Sequence, residues 1–530
     1  MEIIASINDR VIWGAPMLCL MLFTGICFTV RTGFFQLRKF PHILRSTVFS
    51  REKTSDSGIS PFASMCQALA ATLGTGNIAG VSTALSIGGA GAVFWMWISA
   101  FFGMMTGFAE NVLGLHYRKK EGDRYKGGAM QYIKTGLSEK PKTRPLAKPL
   151  AVTYALLCVI AGFGMGNAAQ MNSAAEALRA SFGLPHIVTG VVLAGLAALI
   201  VFGGVERISA VTSKLVPLMS GFYIIGCVFI LASNSEHIPK AFDMIIGSAF
   251  GARQVGGGIA GAAVKTAVSM GFKRGVFSNE AGLGTSVFAH SQSRIKEPVV
   301  CGMWSVFEIF FDTIVMCTLT ALVLLVSTVS ADISAEIPNV TTGVQYFKLT
   351  ESDSLITDGV RLTDTATVYG VHGEKLQAEL PRELTYSNIM TIRGEMRDGV
   401  LTAKIEPLRG VGLAERAFTS KFGRPAGMAL GVLVAMFAFS TVIGWSYFGG
   451  EAAAFLFGDR SRKPYCIAFI AFSVLGACVD MKAAWGISDM LNGLMAVPNL
   501  IAVLILSPKV IEITRSYCDR TFKCLRKNLT

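Results

Sequence analysis

The feature that most constrains this chain is a series of apolar runs, beginning with Val11 to Val30, each long enough to cross about 30 Å of hydrocarbon as a helix. In lipid an unpaired peptide group costs several kcal/mol, so a spanning segment must be a helix or a strand of a closed barrel. Runs this long and continuous exceed a barrel strand. Composition agrees, since 52% of the residues are hydrophobic and only 16% are charged, a balance that a water-soluble core does not need. The expected class is an all-α integral membrane protein. A secretory signal is disfavoured for the first run, because Glu2 and Asp9 precede it and no small-residue cleavage site follows.

Hydropathy predicts about eleven transmembrane helices, near 11–32, 62–88, 91–117, 150–170, 186–204, 208–232, 243–271, 299–328, 426–449, 464–480 and 484–507. The loop after span one carries Arg31, Arg38, Lys39, Arg45, Arg51 and Lys53, and the loop after span three is basic from Arg118 to Lys148. The positive-inside rule makes both cytoplasmic. The same topology places Lys273 and Arg274, then Arg460, Arg462 and Lys463, and finally Lys523, Arg526 and Lys527 on the inside. It predicts a multi-pass protein of the bacterial inner membrane with the N-terminus outside and the C-terminus cytoplasmic. The net charge of +13 thus belongs to loops, and nucleic acid is excluded as a partner. The eleven cysteines lie mostly within apolar spans, which indicates packing rather than a disulfide framework.

The expected organisation is an N-terminal helix with a basic loop over 1–60, a five-helix repeat over 61–235, and a second over 236–329 and 411–508. An extracytoplasmic insertion occupies 330–410 and a basic cytoplasmic tail 509–530. The insertion is β-leaning, with short stretches such as Ala366 to Gly370 and Val400 to Ile405 divided by Gly and Asp. It has no His or Cys cluster, so neither its role nor a protein partner for it is assigned. Asn339-Val340-Thr341 matches a glycosylation acceptor, a pattern short enough to arise by chance.

Span two contains Ala70-Ala71-Thr72-Leu73-Gly74-Thr75-Gly76-Asn77-Ile78-Ala79-Gly80. Glycines inside a span weaken the helix, and an unwound turn is tolerated only where it is buried or lines a cavity. Close packing through small residues is the alternative use of such a stretch. Span seven repeats the idea at Val255-Gly256-Gly257-Gly258-Ile259-Ala260-Gly261-Ala262. Two interruptions at corresponding places in two oppositely oriented five-helix blocks form the inverted-repeat pattern, with a binding site at the paired broken helices. The Gly256, Gly258 and Gly261 spacing lacks the strand and the acidic residue of a dinucleotide site. No phosphate-cradling loop is present, so the driving energy is expected from a gradient.

The stretches Gly74-Thr75-Gly76-Asn77-Ile78-Ala79-Gly80-Val81, Phe94-Trp95-Met96-Trp97 and Gly275-Val276-Phe277-Ser278-Asn279-Glu280-Ala281-Gly282-Leu283-Gly284 resemble signatures of the alanine/glycine:cation symporter family, also called the sodium:alanine symporter family. Phe437-Ala438-Phe439-Ser440-Thr441-Val442-Ile443-Gly444-Trp445-Ser446-Tyr447 extends the likeness, which covers nearly all the chain except about 335–410. The resemblance implies the five-plus-five architecture of the bacterial leucine transporter with one extra N-terminal helix, and sodium as the usual coupling ion. It places Thr75 and Gly76 from the broken part of span two, and Gln170 from span four, at the substrate. Glycine at 76, 257, 258 and 261 suits a small substrate, so Gly258 and Ile259 join the expected contacts, with Trp445 as a wall or a packing residue. Similarity to the leucine-transporter arrangement puts the cation on the carbonyls of Ala70, Leu73 and Phe437 and the hydroxyls of Ser440 and Thr441, with Asn77 as a further ligand. Ser440 and Thr441 can also bond back to their own helix. Glu110 and Asp312 are charges at membrane depth, each costing at least ~2.5 kcal/mol unless partnered. A hydrogen-bonded structural role is expected for Glu110, and either that or proton relay for Asp312.

The function so expected is cation-coupled symport of a small neutral amino acid, such as alanine or glycine, into the cell by alternating access. Na+ is the expected coupling ion with H+ as the alternative, and no organic cofactor is expected. The rival is an amino-acid sensor built on a transporter-like fold. No ring of pore charges suggests a channel, and no metal cluster or nucleophile–base pair suggests an enzyme.

Overall fold

The computed structural model describes residues 8, 12–50, 59–121, 124–251, 257–329 and 410–527, together with strand segments between 345 and 407. Helix occupies most of the described part of each stretch read as a span. Ala15–Arg31 forms the first. The second begins at Pro61, where Ser60 caps the helix by accepting the Ala63 N–H at 3.1 Å, the favoured use of Ser before an N1 proline. Gly91–Tyr117 is continuous. Span four runs from Arg144–Phe163 through a π-helical turn at Gly164–Ala168 into Ala169–Phe182. Later spans include His186–Val201, Gly204–Ala232, Arg424–Phe457, Arg462–Cys478 and Met481–Ile505. Among the described residues, six helices have the length and apolarity to cross a membrane.

Burial follows the helical period. On Gly204–Ala232 the side chains of Met219, Tyr223, Cys227 and Ile230 are buried, while Leu218, Phe222, Ile225 and Phe229 lie exposed on the other face. Water would penalise such an apolar face, and hydrocarbon does not. The inner faces make a core in which Gly91–Tyr117 packs along Pro298–Ile309 and Gly257–Asn279, and Ala169–Phe182 packs along Arg424–Phe457.

Three expectations need correction or completion here. The single span expected at 243–271 is two helices, Ile238–Ala249 and Gly257–Asn279. Lys273 and Arg274 are therefore inside a helix rather than in a cytoplasmic loop, and both are buried. Lys273 Nζ lies 3.0 Å from Asp489 Oδ2, to which Arg274 Nη2 also donates. The acid on Met481–Ile505 is what makes two positive charges tolerable at this depth. The tail is also structured. It is the helix Ser507–Lys527, with Tyr517 Oη 2.9 Å from His42 Nε2 and Lys39 Nζ 3.7 Å from the Phe522 ring centroid.

Within the insertion, strands Lys375–Gln377, Thr367–Tyr369, Gln345–Thr350, Val400–Pro407 and Met390–Arg397 neighbour one another in that order, each pair antiparallel. Of the expected stretches, Thr367–Tyr369 and 400–405 lie on two of these strands. Asn339-Val340-Thr341 lies outside the described residues.

Candidate functional site

Span two breaks where its glycines stand. The helix Pro61–Thr72 ends, Leu73 (φ −70°, ψ 74°) and Gly74 (φ −114°, ψ −155°) leave helical geometry, and Thr75–Asn77 forms one 3₁₀ turn before Ala79–Gly88 resumes. A Cβ added at Gly74 would lie 2.6 Å from Thr441 Oγ1 and 2.8 Å from Gln170 Oε1. Glycine there lets spans two, four and nine converge. Gln170 Oε1 accepts the Thr75 N–H at 3.0 Å and the Thr75 hydroxyl at 2.9 Å, while Gln170 Nε2 donates to the Met165 carbonyl at 3.3 Å. The π turn precedes Gln170 directly. All three groups are buried, so the break's freed N–H finds its partner in a neighbouring side chain, as backbone at membrane depth requires.

An oxygen-rich cluster adjoins it. Thr441 Oγ1 donates to the Ala70 carbonyl at 3.1 Å and also lies 3.2 Å from the Phe437 carbonyl, to which Ser440 Oγ donates at 2.8 Å. The hydroxyls bond back to their own helix, and that of Thr441 also crosses to span two. Ala70, Leu73, Phe437, Ser440 and Thr441 are all buried. Neutral oxygens of this kind are what a hard monovalent cation takes as ligands.

On the other side of the break, Asn77 Nδ2 donates to Ser278 Oγ at 2.9 Å and to Asp312 Oδ1 at 2.8 Å. Asp312 Oδ2 accepts from Ser278 Oγ at 2.6 Å and from Thr313 Oγ1 at 2.8 Å. Asp312 lies in a π-helical segment, Phe310–Cys317. Asn77 Oδ1 is buried with no hydrogen-bond partner. The result is a carboxylate ringed by hydroxyls, with one amide oxygen to spare.

The glycine-rich stretch adjoins the gap between Ile238–Ala249 and Gly257–Asn279, and a further interruption lies beyond it. Val255 and Gly256 lie outside the described residues, but Gly257–Asn279 is one continuous helix. Gly258 and Ile259 sit near its start, roughly 30 Å along the axis from Ser278 at 1.5 Å per residue. They are thereby separated from the Thr75 break. The chain leaves helical geometry again after Asn279, with Glu280 at φ 57°, Gly282 at φ 92° and Gly284 at φ 70°, before helix returns at Ser286. Left-handed backbone is cheap for glycine and uncommon for a residue with a side chain. This break is also held from outside. Tyr154 Oη donates to the Leu283 carbonyl at 2.7 Å, and Asn499 Nδ2 donates to the Gly282 carbonyl at 2.8 Å. Asn499 Nδ2 donates to Glu110 as well, which gives that acid the hydrogen-bonded structural role expected of it.

Trp445 is fully buried, and its ring presses on the backbone of span four, since a Cβ at Gly166 would fall 2.3 Å from its Cγ. Its indole N–H donates to Glu280 Oε1 at 2.9 Å. Sequence reasoning named Thr75, Gln170, Ala70, Phe437, Ser440 and Thr441, and the structure brings them together. It did not assign roles to Ser278, Glu280 or Thr313, although Ser278 and Glu280 stand in the motif quoted above.

The sequence profile of the sodium:alanine symporter family matches residues 1–356 and 387–528, so the likeness extends into much of 335–410, which was expected to lie outside it. The sodium/alanine symporter AgcS of Methanococcus maripaludis is 36% identical over 533 aligned residues, covering 100% of this chain and 99% of that protein. The probable sodium/glutamine symporter GlnT of Bacillus subtilis is 29% identical, covering 98% of this chain and 91% of that protein. Among solved structures, MhsT in complex with L-phenylalanine aligns at 14% identity with a TM-score of 0.49, covering 87% of this chain and 99% of that one. The match at both ends of the chain, together with full-length identity above a third, makes this protein a member of the sodium:alanine symporter family.

Proposed function

We infer that this protein is a secondary transporter that carries a small neutral amino acid, alanine or glycine, into the cell together with Na+. The observation that carries the reading is the convergence at Gly74. The N–H and hydroxyl of Thr75 lie on one side and the Ala70, Phe437 and Thr441 oxygens on the other. An amino-acid carboxylate suits the N–H groups that start a half-helix, and a cation suits the carbonyls that end one. Family membership and the descriptions of AgcS and GlnT support sodium and an amino acid as the pair.

In this reading Thr75, Gly76 and Gln170 hold the substrate, with Trp445 behind Gln170 as a wall. A side chain at Gly76 would crowd the second broken helix, because Phe277 Cδ1 would lie 3.2 Å from a Cβ there. Ala70, Leu73, Phe437, Ser440 and Thr441 hold one Na+, and Asn77 with Asp312, Ser278 and Thr313 offers a second set of oxygens. Eleven crossings in a five-plus-five inverted repeat, with the N-terminus outside, supply the alternating access. Nothing in the structure favours the sensor reading.

Calorimetric titration of the purified full chain tests this. Alanine should bind in NaCl and bind at least about tenfold more weakly in choline chloride, a difference of roughly 1.4 kcal/mol. Equal affinity in both salts would contradict sodium coupling.

A further inference from the structure

Span nine touches both broken helices, and its two contacts are one helical turn apart. Thr441 Oγ1 reaches the Ala70 carbonyl beside the first break at 3.1 Å. Four residues on, Trp445 Nε1 reaches Glu280 Oε1 inside the second break at 2.9 Å. Residues i and i+4 lie on one face of a helix, and Arg424–Phe457 is continuous through both. Glu280 is buried to 3% exposure and Trp445 to 0%, so water does not compete for this hydrogen bond. Glu280 also has φ 57°, a conformation that a residue with a side chain holds only when its surroundings fix it.

We propose that Glu280 is a positioning residue that couples the two ligands, by fastening the second broken helix to the helix that carries the cation oxygens. A cation drawing in Ala70, Phe437 and Thr441 fixes span nine, and through Trp445 it fixes the backbone from Glu280 to Thr285. That backbone follows Ser278 and Asn279 directly, and Ser278 meets span two at Asn77. Cation binding thereby preorganises the wall facing Thr75 and Gly76 without Glu280 touching either ligand. The inference rests on the sodium-coupled reading above.

Linkage makes the coupling measurable, because the factor by which Na+ tightens alanine binding must equal the factor by which alanine tightens Na+ binding. Both are read by titration of the purified full chain, with thermal unfolding as the check on folding. Glu280→Gln keeps an oxygen acceptor at the same reach, so it should retain the wild-type factor. Glu280→Asp keeps the charge but withdraws the oxygen from Trp445, and Glu280→Ala removes it. Both should lower the factor at least about fivefold, a change at the lower end of common coupling factors. Affinity for alanine without Na+ should stay within about twofold of wild type in all three, because coupling and intrinsic affinity are separate quantities. If Glu280→Ala does not fold, Glu280→Asp alone decides. A folded Glu280→Asp with the wild-type factor, or a Glu280→Gln as uncoupled as Glu280→Asp, overturns the proposal. A wild-type protein in which Na+ leaves alanine affinity unchanged overturns the sodium-coupled reading instead.

Discussion

Gln170 Oε1 takes both hydrogen bonds that Thr75 can donate, from its N–H at 3.0 Å and from its hydroxyl at 2.9 Å. One amide oxygen from span four therefore satisfies the opened turn of span two. In the proposed function a substrate carboxylate presents the same acceptor chemistry to the same donors. Leaving two buried donors unpaired costs about 1–3 kcal/mol each. Gln170→Ala should lower alanine uptake by at least about tenfold, the equivalent of roughly 1.4 kcal/mol, and Thr75→Ala should do likewise. Membrane insertion should be intact in both, as checked by surface labelling. Wild-type uptake by correctly inserted variants would remove these residues from the site.

The Thr441 hydroxyl lies between the Ala70 and Phe437 carbonyls. Thr441→Val keeps the shape and removes the oxygen, whereas Thr441→Ser keeps the oxygen. Losing a charge-assisted ligand is worth about 1.5–3 kcal/mol, so half-maximal Na+ concentration for uptake should rise about tenfold or more in Thr441→Val. It should change little in Thr441→Ser. A Na+ titration of uptake distinguishes the two.

Asp312 gathers Asn77, Ser278 and Thr313 around one carboxylate. If these oxygens hold a second cation, Asp312→Asn should reduce the steepness of the Na+ dependence towards a single-site curve. It should also weaken apparent Na+ affinity by about tenfold, or roughly 1.4 kcal/mol. An unchanged curve would assign the cluster to helix packing.

Lys273 and Arg274 share Asp489, and all three are buried. Removing one partner of a buried ion pair costs about 3–5 kcal/mol because the other charge is left uncompensated. Asp489→Asn should therefore lower the unfolding temperature in detergent, whereas Glu512→Gln on the exposed surface should change it little. Equal unfolding temperatures would mean that the triad contributes nothing to the fold.

The legible parts of this molecule are those with local signals. Lipid demands long apolar helices, so the spans could be read from hydropathy, and Gly74 beside Thr75 marked a break because glycine weakens a helix. The break after Asn279 was not singled out, for an instructive reason. Glycines near the start of Gly257–Asn279 are tolerated by a helix that begins there, whereas Gly282 and Gly284 adopt the left-handed backbone that ends one. The terminating signal is present in the motif quoted for the family resemblance. Lys273 and Arg274 were read as a loop because charge is costly in a span, and the acid that accepts them lies on a distant helix. No periodicity reveals a partner that only tertiary packing supplies. The Trp445 to Glu280 hydrogen bond escaped for the same reason.

The most direct measurement is uptake of labelled alanine into proteoliposomes under an imposed inward Na+ gradient, with a K+ gradient and a proton gradient as separate controls. Unlabelled glycine and glutamine serve as competitors. The account predicts accumulation driven by the Na+ gradient alone, with glycine competing more strongly than glutamine. Accumulation that follows the proton gradient, or none with demonstrably folded protein, would contradict it.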